Sequence, residues 1–139
     1  MNRIIKFRAW DKKNKWMCHV GELYLPRDDF ENGAVIDVYP LKDEDIKDLD
    51  DPWYEIIQPN FVLIQNTGLK DKNGKEIYEG DVISNGLSSG IVKYEKNAFI
   101  YWGLTKKDRK VKDYEFMYFV PTVSFEVIGN IYENKELIK

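Results

Sequence analysis

The residues with the most reactive side chains in this sequence are its one cysteine and one histidine, the neighbours Cys18 and His19. A cysteine nucleophile needs a histidine within hydrogen-bond reach. Period-two alternation around them predicts a strand, whose consecutive side chains point to opposite faces. We therefore expect a small core cysteine beside an exposed histidine, and not a catalytic pair. A structural zinc site needs about four ligands and is not expected within one chain.

The 24 acidic residues allow many carboxylate pairs, but no spacing selects one of them. The run Asp43–Asp51 holds six carboxylates and is interpreted as a solvated segment. Asp71–Gly74 resembles the start of a calcium loop, but Lys75–Ile77 do not continue that pattern. Serine-elbow, phosphate-loop and dinucleotide motifs are absent from the sequence. We predict no catalytic residue, no metal, no cofactor and no enzyme activity; a hydrolase built on an unrecognised carboxylate pair is the minor alternative.

Residues 106–119 have the composition of a nucleic-acid contact, because five basic residues within seven positions are followed by aromatic residues. Basic side chains neutralise phosphates, and exposed aromatics stack on the bases of single strands. The possible binding surface consists of Lys106, Lys107, Arg109, Lys110, Lys112, Tyr114, Phe116 and Tyr118. A sequence pI of about 5.3 argues against this function. Nucleic-acid binding is therefore the alternative, and a solvated loop tip is the simpler interpretation.

The net charge of -3 is distributed unevenly along the 139 residues. Residues 1–20 carry +5, residues 21–59 carry -9 and residues 60–139 carry +1. Such asymmetry can mark a partner surface. We expect the basic start and the acidic insert to attract each other, within one chain or between subunits. No apolar run approaches the roughly 20 residues of a spanning helix, which predicts a cytoplasmic protein.

The elements predicted to hold these residues are short strands. Alternation over residues 5–10 and 16–20 predicts a hairpin that turns at 11–15, with Asn14 at positive φ, and ends at Gly21. Residues 22–59 are interpreted as loop-rich, with a short strand at Val35–Tyr39 and a helical turn capped by Asp43.

From residue 60 onward the strand signals recur every 8–12 residues. They indicate a mainly β protein with a small barrel or sandwich in this half and a minor helix. The aromatics Tyr114, Phe116 and Tyr118 are assigned, with Val120, to one face of a late strand, and Met117 and Phe119 to the other. A last strand is expected to bend at Gly129, and Asn134 to cap a final helical turn. The predicted domains are 1–59, the hairpin and acidic insert, and 60–139, the barrel.

Three stretches of sequence together resemble the YopX family of small phage and prophage proteins. They are residues 5–11 (IKFRAWD), residues 65–83 (QNTGLKDKNGKEIYEGDVI) and residues 127–134 (VIGNIYEN). The resemblance implies an SH3-like β-barrel, a bacterial or phage source and self-association, and it brings no catalytic motif. The residues that carry it are interpreted as structural: Trp10, Thr67, Gly68, Asp71, Gly74, Tyr78, Gly80, Asp81, Gly129 and Asn130.

The function expected from these features is a phage-encoded accessory protein that is not an enzyme. It would form a homo-oligomer in the cytoplasm of a bacterial host and bind a host or phage protein. Within the middle motif, Gly68 and Gly74 are expected to supply turns. Tyr78 and Val82 are expected to face inward or to line a groove, and Asp81 to cap backbone N–H groups at a corner.

Overall fold

The computed structural model describes residues 5–25, 33–47, 50–95, 97–104, 114–117 and 120–138. Within them the chain is mainly β, as the alternation predicts. The strands are β1 (Phe7–Asp11), β2 (Trp16–Tyr24), β3 (Val35–Pro40), β4 (Tyr54–Ile57), β5 (Phe61–Lys70), β6 (Glu76–Tyr78), β7 (Asp81–Ser84), β8 (Ser89–Glu95), β9 (Ala98–Gly103), β10 (Tyr114–Phe116) and β11 (Glu126–Asn130). The helix α1 spans Asp43–Ile46, and 3-10 helices span Thr122–Ser124 and Lys135–Ile138.

The strands form two antiparallel sheets. The larger has the order β4-β3-β2-β1-β5-β6, and the smaller has the order β10-β9-β8-β7-β11. The chain divides into two compact units, Lys6–Ile64 and Gln65–Lys139 with Met1–Ile5. The observed division therefore follows residue 64, within β5, whereas the sequence placed it after residue 59. We refer to the two as the first unit (residues 6–64) and the second unit (residues 65–139).

The predicted N-terminal hairpin is present in the first unit, with β1 and β2 paired through Ala9 and Cys18. Two of its details were wrong. Lys15, and not Asn14, takes the positive φ of 60°, because the Asn14 side chain instead donates a hydrogen bond to Asp11. Gly21 also does not end the hairpin, since β2 passes through a bulge at this position and continues to Tyr24.

The insert is more regular than its prolines and charges indicate. The short strand predicted at Val35–Tyr39 is confirmed as β3, and the sequence did not reveal β4, which pairs with it. The helical turn at Asp43 is also present, but Lys42 occupies the N-cap position, and its side chain makes no capping hydrogen bond. Asp43 is instead the first helical residue, where its charge favours the helix dipole.

Each unit has its own apolar core. The core of the first unit contains Ala9, Cys18, Ala34, Ile36, Val38, Ile56 and Phe61. Along β3 the buried Ile36 and Val38 alternate with half-buried side chains, as a strand with one covered face requires. The core of the second unit contains Ile77, Ile83, Val92, Tyr101, Met117, Val120 and Phe125.

The smaller sheet is a four-strand meander whose first strand, β7, also pairs with the last, β11. A bulge between Val127 and Gly129 bends β11, which confirms the predicted bend. The ladders between described residues leave this sheet open between β10 and β11. The alternation assigned to the late strand was wrong, because β10 ends at Phe116 and Met117 and Val120 enter the same core.

Candidate functional site

Most of the basic-aromatic segment, residues 106–119, lies outside the described residues. Its bases Lys106, Lys107, Arg109, Lys110 and Lys112 lie outside the described residues, and so does Tyr118. Tyr114 and Phe116 lie in β10, which pairs with β9. The nucleic-acid alternative therefore stays a prediction of the sequence.

The middle family motif is organised by the carboxylate of Asp71. One carboxylate oxygen accepts hydrogen bonds from the backbone N–H groups of Asn73 and Lys75, at 2.8 and 2.9 Å. The other oxygen accepts the backbone N–H of Val127 at 3.0 Å. These backbone bonds hold the pKa of Asp71 below its usual range despite burial. Asp71 thus ties the turn to β11 and has a structural role, as predicted.

Neighbouring motif residues also make local structural bonds. The Thr67 hydroxyl donates to the Ile77 carbonyl at 2.8 Å and accepts from the Leu69 N–H. Gly68 and Gly74 have φ of 81° and 78°, in the left-handed region that the predicted turns require. Trp10, the motif residue of the first unit, is buried.

The corner at residues 78–81 is closed by Asp81, as predicted. The buried Asp81 carboxylate accepts the Tyr78 backbone N–H at 2.8 Å. Tyr78 and Val82 are both buried, so neither lines an open groove. Gly80 has a φ of 86°, and a side chain there would lie 2.8 Å from the Tyr132 ring. The corner is a packing feature of the second unit.

The last family motif is likewise held by hydrogen bonds between side chains and backbone N–H groups. The Asn130 side-chain oxygen accepts the N–H groups of Tyr132 and Glu133. The Asn134 side chain returns to the Asn130 N–H at 3.1 Å. Asn134 therefore does not cap the final 3-10 helix with its side chain, which corrects the prediction. Gly129 is required by space, because a Cβ would lie 2.5 Å from the Asn134 side-chain oxygen.

A partly buried polar network in the first unit involves Cys18, and burial makes this thiol unreactive. The Tyr54 hydroxyl donates to Asp11 at 2.7 Å and accepts from the Trp16 indole N–H at 2.6 Å. Cys18 lies 3.3 Å from the same hydroxyl. Burial raises the pKa of the Cys18 thiol to about 11, so the nucleophilic thiolate is scarce near neutral pH. His19 lies on the opposite, exposed face, which confirms that the two do not form a pair.

Glu79 carries the raised carboxyl pKa that a hydrolase would need. Burial raises this pKa, and no second carboxylate contributes to the shift. Its charge in turn helps raise the pKa of Tyr132. An acid–base pair consists of two titratable groups whose environments push their pKa values apart, whereas burial alone raises the pKa of Glu79. Among the described residues, no group of three or more metal-ligating side chains comes together.

The first unit presents a surface that the sequence reasoning missed, on the sheet face opposite its core. An aromatic row crosses this face: the His19 and Tyr39 rings lie 4.7 Å apart, and the Tyr39 and Trp53 rings 4.6 Å apart. Trp53 is 48% exposed. Its ring rests on Gly21, where an added Cβ would lie 2.5 Å from it. Gly21, at the bulge, therefore leaves the space in which the exposed Trp53 ring packs against the sheet.

Beside the aromatic row, three carboxylates stand on adjacent strands. The register places Glu22 opposite Asp37, and Asp37 opposite Glu55. Like charges opposite each other destabilise a sheet. Tyr24 donates its hydroxyl to Glu22, which raises the pKa of Tyr24 to about 12. We call His19, Tyr39, Trp53, Glu22, Asp37 and Glu55 together the outer face.

One residue, Gly21, could have indicated the outer face from the sequence. The sequence pattern predicts that Gly21 ends the hairpin, whereas in the structure it forms a bulge. The cross-strand row of acids has no sequence signal, because Glu22, Asp37 and Glu55 come from three strands that only the fold aligns. No helix within the described residues has the length and apolar character to cross a membrane.

Comparison with known proteins identifies the family. The crystal structure of protein EF1440 from Enterococcus faecalis is 25% identical, with a TM-score of 0.61, over 99% of this chain and 100% of that chain. The structure of protein yopX from Bacillus subtilis is 22% identical, with a TM-score of 0.54, over 96% and 95%, and it shares the fold. No curated protein matches the chain. The family model described as YopX protein matches residues 6–139, so this chain belongs to the YopX protein family.

Proposed function

We propose that this protein is a non-enzymatic β module that binds protein partners and associates with itself through the outer face. Exposed Trp53 is the observation that carries the proposal. Tryptophan and tyrosine dominate the binding energy of protein interfaces when they are held rigidly. Trp53 has that support, because its ring rests on Gly21 and packs at a 60° tilt against the Tyr39 ring.

The described carboxylates and thiol support a binding role over catalysis. The carboxylate of Asp71 is engaged by three backbone N–H groups. The carboxylate of Asp11 accepts two backbone N–H groups, the Asn14 amide and the Tyr54 hydroxyl. Groups held in this way stabilise loops and do not exchange protons with a substrate.

The finer architecture and the setting belong to the same proposal. The second unit is proposed to be an SH3-like barrel, which the meander β7–β10 supports, since its first strand also pairs with the last, β11. Membership of the YopX family supports a phage or prophage origin and a place in the bacterial cytoplasm.

Replacing Trp53 with alanine is the direct test of self-association. We expect sedimentation velocity to show association of the wild type that the variant weakens at least tenfold, about 1.4 kcal/mol, because the anchor of the interface is lost. Leu87→Ala removes a side chain that is 84% exposed in the second unit, and it should leave association unchanged. A wild type that remains monomeric at its highest soluble concentration would disprove self-association.

Nucleic-acid binding predicts a different result. A module using the basic-aromatic segment would shift labelled single-stranded DNA or RNA, with an affinity that falls steeply as salt rises. We expect no shift even at low salt, because the outer face carries carboxylates that repel phosphates. A salt-dependent shift that Lys106→Glu with Lys107→Glu abolishes would favour the alternative.

A further inference from the structure

The geometry points to a specific occupant of the outer face: the lysine-rich turn of a second copy of this chain. We propose that the turn Lys12–Lys15, between β1 and β2, docks on the outer face of the next subunit. This inference rests on the proposed self-association and names the two surfaces that would meet.

The turn presents a fixed cationic tip. Lys12, Lys13 and Lys15 are all exposed. Asp11 sets the shape of the turn: its carboxylate accepts the Lys13 and Asn14 N–H groups at 2.8 and 3.0 Å, and its carbonyl accepts the Lys15 N–H at 2.9 Å. Tyr54 holds the same carboxylate at 2.7 Å. The lysines are therefore carried on a preorganised loop, which lowers the entropic cost of binding.

The outer face has the complementary chemistry. Its acidic row aligns Glu22, Asp37 and Glu55 across three strands. Between described residues, neither this row nor the lysines of the turn take part in ion pairs such as Lys72 with Glu126 and Lys93 with Glu95. Beside the row, exposed Trp53 offers a ring face that attracts an ammonium group. Arg8 lies opposite His19, at the other end of the aromatic row from Trp53. A cation is thus favoured by the acidic row and by Trp53, and it would offset the like charges of the carboxylates.

The turn lysines of one copy do not reach the acidic row of the same copy. Lys15 precedes β2 and Glu22 lies seven residues further along the chain. At roughly 3.3 Å per residue the separation is about 23 Å, which a lysine and a glutamate side chain together do not span. A contact between this turn and the acidic row therefore joins two chains.

The contact has a consequence for assembly. The turn and the outer face are different surfaces, so two copies can exchange both contacts in a two-fold dimer, or each subunit can use its turn on one neighbour and its outer face on another. Head-to-tail contacts of the second kind generate rings if the rotation closes and open chains if it does not. Because the contact is made by exposed charges, rising salt will weaken it.

Charge reversal with mixing tests the contact. The turn variant carries Lys12→Glu, Lys13→Glu and Lys15→Glu, and the face variant carries Glu22→Lys and Glu55→Lys. In sedimentation velocity we expect each variant alone to be monomeric. Their equimolar mixture should reassemble, because the acidic turn of one meets the basic face of the other. Glu95→Lys with Glu136→Lys makes the same charge change at exposed residues of the second unit, and it should assemble like the wild type.

The outcomes separate this inference from the function on which it rests. A monomeric wild type overturns both. Wild-type association that neither variant weakens, or two folded monomeric variants that fail to reassemble when mixed, overturns this contact and leaves self-association standing. Circular dichroism of each variant establishes that it is folded.

Discussion

Replacing Asp71 with alanine is expected to lower the free energy of unfolding by about 3 kcal/mol or more. The substitution removes three hydrogen bonds from backbone N–H groups to a buried charged acceptor. One of these donors, Val127, lies 56 residues away and belongs to β11. The loss therefore loosens both the turn and β11, an edge strand of the smaller sheet. Urea denaturation of the purified variant measures the change.

The pH dependence of this effect follows from the lowered pKa of Asp71. A carboxylate whose folded pKa lies below its unfolded value stabilises the fold fully above the unfolded pKa, about 3.9. The stabilisation is lost as pH falls through the folded pKa. We therefore expect the difference between the wild type and Asp71→Asn to be constant above about pH 5 and to shrink below about pH 4.

A surface acid provides the control for Asp71. Glu95 is exposed and lies 3.9 Å from Lys93, so Glu95→Ala should change stability by about 0.5 kcal/mol or less. If Asp71→Ala were as mild as this control, the carboxylate would not hold the turn, and its place in the family motif would need a functional explanation.

Replacing Gly80 with alanine is expected to cost about 2–4 kcal/mol. The residue has a φ of 86°, which a side chain disfavours, and its Cβ would lie 2.8 Å from the Tyr132 ring. Gly80 also bonds through its backbone to Val92 and Ile131, so the corner cannot shift without breaking those bonds. Thermal or urea unfolding measures the cost.

A substitution at Gly86 separates the two costs expected at Gly80, the backbone penalty at positive φ and the contact of the added Cβ with the Tyr132 ring. It has nearly the same φ, 88°, but no atom lies within 4 Å of an added Cβ. Gly86→Ala should therefore show only the backbone penalty, about 1–2 kcal/mol. Equal losses of unfolding free energy for the two variants would mean that the contact with Tyr132 contributes nothing. The backbone conformation alone would then account for the glycine at this corner.

The sequence predicted the parts of this fold that depend on local chemistry. Alternation revealed the hairpin, and Asp71–Gly74 revealed a turn with positive φ at its glycine. The capping role of Asp81 followed from its place before a strand. Predictions about helix caps were weaker, because neither Asp43 nor Asn134 caps a helix with its side chain as expected. Lys42 occupies the N-cap position before α1, and the Asn134 side-chain oxygen accepts the Asn130 N–H.

What the sequence by itself determined is a mainly β chain of the YopX family, with an unreactive cysteine and a charge pattern split between its basic start and its acidic insert. Only the tertiary structure decided which charges meet. Glu22, Asp37 and Glu55 become neighbours through the register of β2, β3 and β4, and a bulge of one residue at Gly21 sets the row beside Trp53. Cross-strand neighbours are fixed by hydrogen-bond register, which sequence spacing does not encode.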